Sequence, residues 1–510
     1  METAHNKTKG KVYLVGAGPG RADLITVRGA KLLKEADCII YDKLVNPALL
    51  EFARPDAEII HVPKRIGGNS FTQEEINKLL LEKASGGKKV VRLKGGDPCI
   101  FARAAEEAKA LVEAGIDFEI VPGVTAGIAA GAYTGIMLTD RKVSSQVVFV
   151  TGREAEKKQK SNIDWRLLAK FDGTIVFYMG MENLEFIVNQ LTKNGMDGDM
   201  PSAVIADVSL PTQRVIKQPI RLLSEKCKKE KIEPPAIVVI GTAAGSDPQL
   251  NWFMRKPLFG KNIVVTRDVV GNTDFAAGII SAGGNPLKFA TIKIRPLTQS
   301  NRFLRALAEL AEYDWVIFTS ANGAAIFFDC LRSLAKDARV FGSAKIAVVG
   351  SETAAKLSEF GIKPDFVPGI FTTKELAKQL IGYTNLQGKK MLFLRSKLAS
   401  NELAEPLVAA GTQVDDVPVY TTATVKSECD WLIEKIESGR VDWLTFCSSS
   451  SVRGFFEQIS SELINSSDIK VASIGPATSE QLKNLGIKVS VQAAVHTVDG
   501  LLAAIEGTYE

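Results

Sequence analysis

Residues 260–510 carry one pattern twice, and that duplication limits the fold more than any other feature. Gly260-Lys-Asn-Ile-Val-Val-Thr-Arg267 returns 128 residues later as Gly388-Lys-Lys-Met-Leu-Phe-Leu-Arg395. Asp314-Trp-Val-Ile-Phe-Thr-Ser320 returns as Asp442-Trp-Leu-Thr-Phe-Cys-Ser448 at the same offset. Lys345-Ile-Ala-Val-Val-Gly350 returns as Lys470-Val-Ala-Ser-Ile-Gly475 at an offset of 125. Each copy alternates short Val/Ile-rich runs with amphipathic helical stretches, the pattern of a parallel sheet covered on both faces. The second half is therefore two similar α/β lobes in tandem. Two like lobes with a cleft suit a ligand at their interface, although a duplication that only builds a scaffold looks the same.

The first half shows the same alternation without the repeat. Val12–Val15 precedes a helical stretch from about Asp23 to Glu35, and Lys89–Lys94 precedes one from about Ile100 to Ala114. The whole chain reads as α/β. Its 510 residues exceed one core, since domains cluster near roughly 100–200 residues. Gly241-Thr-Ala-Ala-Gly-Ser-Asp-Pro248 is rich in turn residues and marks a seam. The expected division is a domain at 1–245, a linker at 246–257 and a second domain at 258–510.

Composition narrows the function. No apolar run approaches the ~18–20 residues that span a bilayer, and the polar start does not read as a secretory signal. Six cysteines without a CxxC suggest neither a disulfide scaffold nor a zinc site. The chain thus reads as cytoplasmic, with no membrane partner. Three histidines (His5, His61, His496) leave no multi-histidine metal site to expect. The net charge is +5, and residues 1–250 hold 35 basic against 31 acidic residues. That excess lacks the dense basic stripe of a nucleic-acid binder and suits a small anionic substrate.

Val12-Tyr-Leu-Val-Gly16-Ala-Gly18-Pro19-Gly20 is a strand entering a glycine turn, a layout that offers backbone N–H groups to a ligand. Asp42 ends the next strand, which imitates a dinucleotide fingerprint. The third glycine of that fingerprint would fall on Arg21, and Pro19 removes an N–H. Further glycine-bearing strand ends are Gly95-Gly96-Asp97, Val121-Pro-Gly-Val-Thr125-Ala126 and Phe177-Tyr-Met179-Gly180. Four such ends suggest a broad crevice at the carboxyl edge of a sheet. None is a phosphate loop, because no GK[ST] is present.

In this order and spacing, VYLVGAGPG, IIYDKLV, GGDP, VPGVTAGIAA and FYMG resemble the tetrapyrrole methylases over about residues 10–245. Within them they look most like uroporphyrinogen-III C-methyltransferases. The resemblance implies a two-lobed fold, S-adenosyl-L-methionine as cofactor, and two methylations of uroporphyrinogen III to precorrin-2. It assigns Pro19, Gly95, Gly96, Asp97, Ile100, Thr125, Ala126, Met179 and Val208 to the cofactor, Val208 standing where the family commonly has glycine. It makes Asp42 the proton acceptor and Lys64 the proton donor. On chemistry alone Asp42 could be a strand-end cap, and Lys64 a surface charge or a clamp on a substrate carboxylate. Arg103, in the altered stretch Ala102-Arg-Ala-Ala-Glu-Glu107, is available to substrate carboxylates. The family also implies a homodimer through this half.

VVTR, YDWVIFTSANG, KIAVVG, VPVYTT, DWLTFCSSSSVRGF, VASIGPATSEQL and HTVDGL resemble uroporphyrinogen-III synthase over roughly residues 258–508. That family has two flavodoxin-like lobes with exchanged first units. By analogy one lobe is 260–295 with 422–508 and the other 297–419, with crossings near Pro296 and Pro418. The implied reaction closes hydroxymethylbilane with inversion of its last ring and loss of water, without a cofactor. Tyr420 would assist departure of the hydroxyl, or be an ordinary strand tyrosine. Ser320, Asn322, Ser448 and Thr478 lie on strand-end loops, as substrate-carboxylate donors or as turn formers. Two other readings stand beside the bifunctional one. One is a methylase of another tetrapyrrole; the other is a nucleotide-binding domain fused to a non-catalytic two-lobed module. The implied product of the second half is the implied substrate of the first, which favours the bifunctional reading.

Overall fold

The computed structural model describes residues 9–63, 71–153, 162–267, 272–399 and 402–509. One compact unit runs up to Gly260 and includes Ala282–Asn285; the other holds Lys261–Ser281 and the residues from Pro286 on.

In the first unit, β1 (Lys11–Gly16), β2 (Cys38–Tyr41), β3 (Glu58–His61), β4 (Lys89–Lys94) and β5 (Phe118–Val121) form a parallel sheet in the order β3-β2-β4-β1-β5. Strand alternation fills both faces, with Val12, Leu14, Ile40 and Val90 on one and Tyr13, Val15, Ile39 and Val91 on the other. Helix α1 (Val27–Glu35) links β1 to β2, α2 (Gln73–Ser85) links β3 to β4, and α3 (Ala104–Glu113) links β4 to β5. A reciprocal capping box between Thr72 and Glu75 starts α2. Neighbouring β1 and β4 send their following helices to opposite sides, so their carboxyl ends form a switch point, where such sheets open a crevice.

After α4 (Ala126–Thr134) comes a second sheet of β6 (Val147–Thr151), β7 (Thr174–Tyr178), β8 (Pro201–Ala206), β9 (Arg214–Pro219) and β10 (Ala236–Ile240). Its order is β6-β7-β10-β8-β9. The alternation suggested parallel sheets, but only β6 and β7 are parallel. The pairs β7/β10, β10/β8 and β8/β9 are antiparallel. The connection 207–213 between β8 and β9 is too short for a crossover and can only turn back.

Residues 246–257, expected as a linker, are docked on this unit. Phe253 is 1% exposed and stands edge-on to Tyr133 at 4.8 Å, and Trp252 Nε1 donates to the Ala132 carbonyl at 2.9 Å. The small residues ahead of them mark a turn, but the two aromatic rings carry apolar area that finds cover on α4.

The remaining strands are β11 (Asn262–Val265), β12 (Asn285–Lys288), β13 (Ile292–Pro296), β14 (Trp315–Phe318), β15 (Lys345–Val348), β16 (Lys390–Ser396), β17 (Gln413–Thr424), β18 (Trp443–Phe446), β19 (Lys470–Ser473) and β20 (Val491–Gln492). They make two sheets, β12-β11-β18-β19-β20 and β13-β17-β16-β14-β15. Each sheet combines strands from both repeat copies. The crossings do not fall at Pro296 and Pro418. β13 already pairs antiparallel with β17 as far as Thr424, so the chain changes sheets before Ile292 and after Thr424. Both prolines are tolerated inside strands for local reasons. Pro296 ends an edge strand, and Pro418 lies at a register irregularity between β16 and β17. Among the described residues, no helix is long and apolar enough to cross a membrane.

Candidate active sites

The carboxyl ends of β1 and β4 are tied backbone to backbone. Gly18 N donates to Gly96 O at 3.2 Å and Gly96 N to Gly18 O at 2.7 Å. Gly96 has φ +67°, which glycine adopts without strain. Gly123, just past β5, packs closer still. A Cβ there would stand 2.3 Å from Gly96 O and 2.8 Å from Gly16 Cα. Asp97 locks this corner, its carboxylate accepting from Gly123 N at 2.9 Å and Cys99 N at 2.7 Å. The carboxylate therefore braces two turns, and each oxygen keeps a second lone pair for a ligand.

The second sheet completes the crevice through Tyr178, the last residue of β7. Its hydroxyl lies 2.7 Å from Thr125 Oγ1 and accepts from Gly127 N at 2.9 Å. A Cβ on Gly127 would meet that hydroxyl at 2.4 Å, so α4 must be small there. Burial raises the Tyr178 pKa above the ordinary tyrosine value, which keeps the hydroxyl protonated. Phe101 flanks the ring at 5.0 Å. Met179 follows, 49% exposed.

Phe101, Arg103, Met179, Asp207 and Ser209 all have positive φ without being glycine. Such backbone is sparsely populated and gathers at functional sites. The left-handed residues flank Val208 rather than include it, so valine fits without strain where the family commonly has glycine. A Cβ on Gly20 would lie 2.8 Å from Val208 O, and Arg21 N donates to Ser209 Oγ at 3.2 Å. Ile100 packs with Leu24, Val124 and Ala126 on the same apolar cluster. Pro19, Gly95, Gly96, Asp97, Ile100, Thr125, Ala126, Met179 and Val208 thus belong to one set of interlocked turns. The chemistry of these groups suits the cofactor expected from the resemblance, because each Asp97 carboxylate oxygen takes one backbone N–H and keeps a lone pair for a ligand. A Cβ on Gly96 would meet Ala126 N and Thr125 Cα at 3.8 Å, an ordinary contact, so it is the φ of +67° that favours glycine there.

Asp42 is anchored from below. Arg92 Nη2, fully buried, donates to Asp42 Oδ1 at 2.5 Å. Arg92 Nε also reaches Glu107 Oε1 at 3.2 Å, and Lys94 Nζ lies 2.8 Å from both Glu107 oxygens. Gln73 adds a bond to Glu107 at 3.3 Å. Burial, then the neighbouring Arg92, pushes Lys94 below the ordinary lysine pKa. This network was not read from the sequence, yet it left a signal. β4 carries Arg92 inside the apolar run Val90–Leu93 and Lys94 directly after it, and β4 is central, so both charges must be buried and paired. Lys64 lies outside the described residues. Arg103 forks onto Glu106 through two bonds of 2.6 Å, which raises its pKa, and it remains half exposed.

In the second unit, Ser320 caps the helix Ala321–Ser333 by accepting from Gly323 N at 3.1 Å. Its hydroxyl also lies 3.1 Å from the Tyr420 hydroxyl, so these two candidates share one site. Asn322 is exposed on the first turn of that helix. Ser448, the repeat partner of Ser320, caps Ser449–Phe456 on the other sheet by accepting from Ser451 N at 3.1 Å. Thr478 lies buried in the first turn of Pro476–Asn484, and Ser449 Oγ bonds Ala477 O at 3.1 Å. Ser448 and Thr478 therefore sit on adjoining helix starts.

Comparison with known proteins gives two family matches. Residues 11–223 match Tetrapyrrole (Corrin/Porphyrin) Methylases, and residues 273–503 match Uroporphyrinogen-III synthase HemD. A porphyrin biosynthesis protein HemD from Ruminiclostridium josui is 37% identical over 493 residues, 97% of each chain. A uroporphyrinogen-III C-methyltransferase from Bacillus subtilis (strain 168) is 38% identical over 361 residues, 70% of this chain and 74% of its own. Among solved structures, a uroporphyrin-III C-methyl transferase from Thermus thermophilus complexed with S-adenyl homocysteine is 35% identical. That match covers 46% of this chain and 93% of the other, with a TM-score of 0.40.

Proposed function

The chain belongs to the porphyrin-biosynthesis family that joins a tetrapyrrole methylase to a uroporphyrinogen-III synthase, and from that premise we propose that its two halves act in sequence. The synthase half cyclises hydroxymethylbilane to uroporphyrinogen III. The methyltransferase half methylates that product twice, to precorrin-2, using S-adenosyl-L-methionine. The observation that carries the methylase reading is the interlocking of the glycine-rich strand ends beside the anchored carboxylate of Asp42.

S-adenosyl-L-methionine, when bound, supplies a methyl group already activated on a sulfonium sulfur. The protein's task is then alignment and exclusion of water. The turns at Pro19, Gly95, Gly96, Thr125, Ala126 and Val208 would hold the cofactor through backbone groups, and Asp97 through its remaining lone pairs. Ile100 and Met179 offer apolar surface. Asp42 would accept the proton that leaves the methylated pyrrole, with Arg92 fixing its carboxylate. Lys64 would return a proton, and Arg103 would attract the substrate's carboxylates. In the synthase half Tyr420, oriented by Ser320, would assist loss of the hydroxyl. Asn322, Ser448 and Thr478 would hold substrate carboxylates.

A cytoplasmic location and a homodimer through the methylase half belong to the same reading. Six cysteines in 510 residues, without a CxxC, accord with a reducing compartment, and sedimentation of the purified chain decides the dimer. Supplying each substrate separately tests the two activities. Hydroxymethylbilane alone should yield the type III macrocycle, and uroporphyrinogen III with S-adenosyl-L-methionine should yield precorrin-2. Type I macrocycle alone, or an unmethylated product, would remove the corresponding half of the reading.

A further inference from the structure

Resting on the synthase reading above, we propose that Arg267 anchors a carboxylate of the linear tetrapyrrole. The two repeat copies differ in how they hold this arginine. The offset of 128 residues holds in the backbone as well as the sequence. Gly260 and Gly388 have φ of +78° and +74°, and Gly283 and Gly411 have +89° and +88°. In that register Arg267 corresponds to Arg395, and Lys288 to Asp416.

Arg395 is fully engaged within its own lobe. It forks onto Asp416 and donates to the Ala399 carbonyl, with 11% of its side chain exposed. The first copy lacks the acid, because position 288 is lysine. Among the described residues, the Arg267 side chain has no ion-pair or hydrogen-bond partner. One arginine of the repeat is neutralised internally, and its twin keeps an unneutralised guanidinium.

Its place suits an anionic ligand. Val265 pairs with Thr445 in the parallel ladder of β11 and β18. Arg267 follows two residues after the end of β11, and continuing the register puts it at the level of Cys447, just past the end of β18. Arg267 and Ser448 thus both follow the carboxyl ends of neighbouring strands. A guanidinium matches a carboxylate with two parallel N–H···O bonds, a fit that a lysine ammonium does not reproduce. The substrate class is a flexible polycarboxylate, and the charge difference between the repeats would help fix which way round it binds.

The test uses the full-length chain and hydroxymethylbilane. Arg267→Ala should raise KM about tenfold, change kcat less, and flatten the dependence of KM on salt. Arg267→Lys should recover part of the loss. Methylation of supplied uroporphyrinogen III and the thermal midpoint should match wild type in both variants. An active wild type with an Arg267→Ala variant of unchanged KM and salt dependence overturns this proposal alone. A lowered thermal midpoint in place of the KM change assigns Arg267 a structural role and also overturns it. A wild type that does not turn over hydroxymethylbilane removes the synthase reading, and this proposal with it.

Discussion

Arg92, Lys94 and Glu107 are almost wholly inaccessible, and Arg92 ties them to Asp42. Removing one member of such a network leaves an uncompensated buried charge, which is far more costly than losing an exposed pair. Glu107→Gln should therefore destabilise the first unit by about 3 kcal/mol, measured as a shift in denaturant midpoint. Asp42→Asn should lower methyl transfer about a hundredfold while binding of S-adenosyl-L-methionine by calorimetry changes little. Equal loss of both would show that Asp42 is structural. Lys94 adds a pH dependence. A lysine held below its ordinary value binds fewer protons folded than unfolded, so its contribution to stability rises as pH climbs toward the unfolded value of 10.5. Denaturation across the alkaline range should show that rise in wild type and a smaller one in Lys94→Met. At this scale the sequence was only partly legible. Asp42 and Asp97 could be named from strand-end positions. The charges set in and after the apolar run Val90–Leu93 hint at a buried network, but the bracing role of Asp97 and the partner of Arg92 depend on the order of the strands, which no local pattern reveals.

The turns, rather than the strands or helices they join, set the shape of the methylase crevice. Gly123 has no room for a side-chain atom, with the Gly96 carbonyl 2.3 Å from any Cβ. Gly123→Ala must displace one turn from the other and should reduce methyl transfer about a hundredfold, with synthase activity retained. Tyr178→Phe leaves the buried Gly127 N–H and Thr125 hydroxyl short of a partner, at a cost of about 1–3 kcal/mol. It should weaken cofactor binding, as read by calorimetry, because both groups lie at the start of α4. Glycine spacing made these turns visible in the sequence. Strand direction was less visible, because an apolar run looks alike in parallel and antiparallel pairing. The short 207–213 connection was the available clue. Pro296 and Pro418 misled as crossing points because an edge strand and a register irregularity accommodate proline inside the sheet.

Across the whole chain, the duplication was legible because both copies retain the same strand starts and helix caps. Ser320 and Ser448 open equivalent helices, and paired glycines keep the same φ. The docking of 246–257 was not legible, since Trp252 and Phe253 follow a run of turn residues and only the fold supplies their partner, Tyr133. The pairing of two activities rests on chemistry as well as on sequence likeness, because the product of one half is the substrate of the other. The most direct test supplies the full-length chain with hydroxymethylbilane and S-adenosyl-L-methionine together and identifies the tetrapyrroles formed. Precorrin-2, carrying two new methyl groups, should form, with uroporphyrinogen III preceding it in time. Accumulation of unmethylated macrocycle without precorrin-2 would contradict the pairing of the two activities.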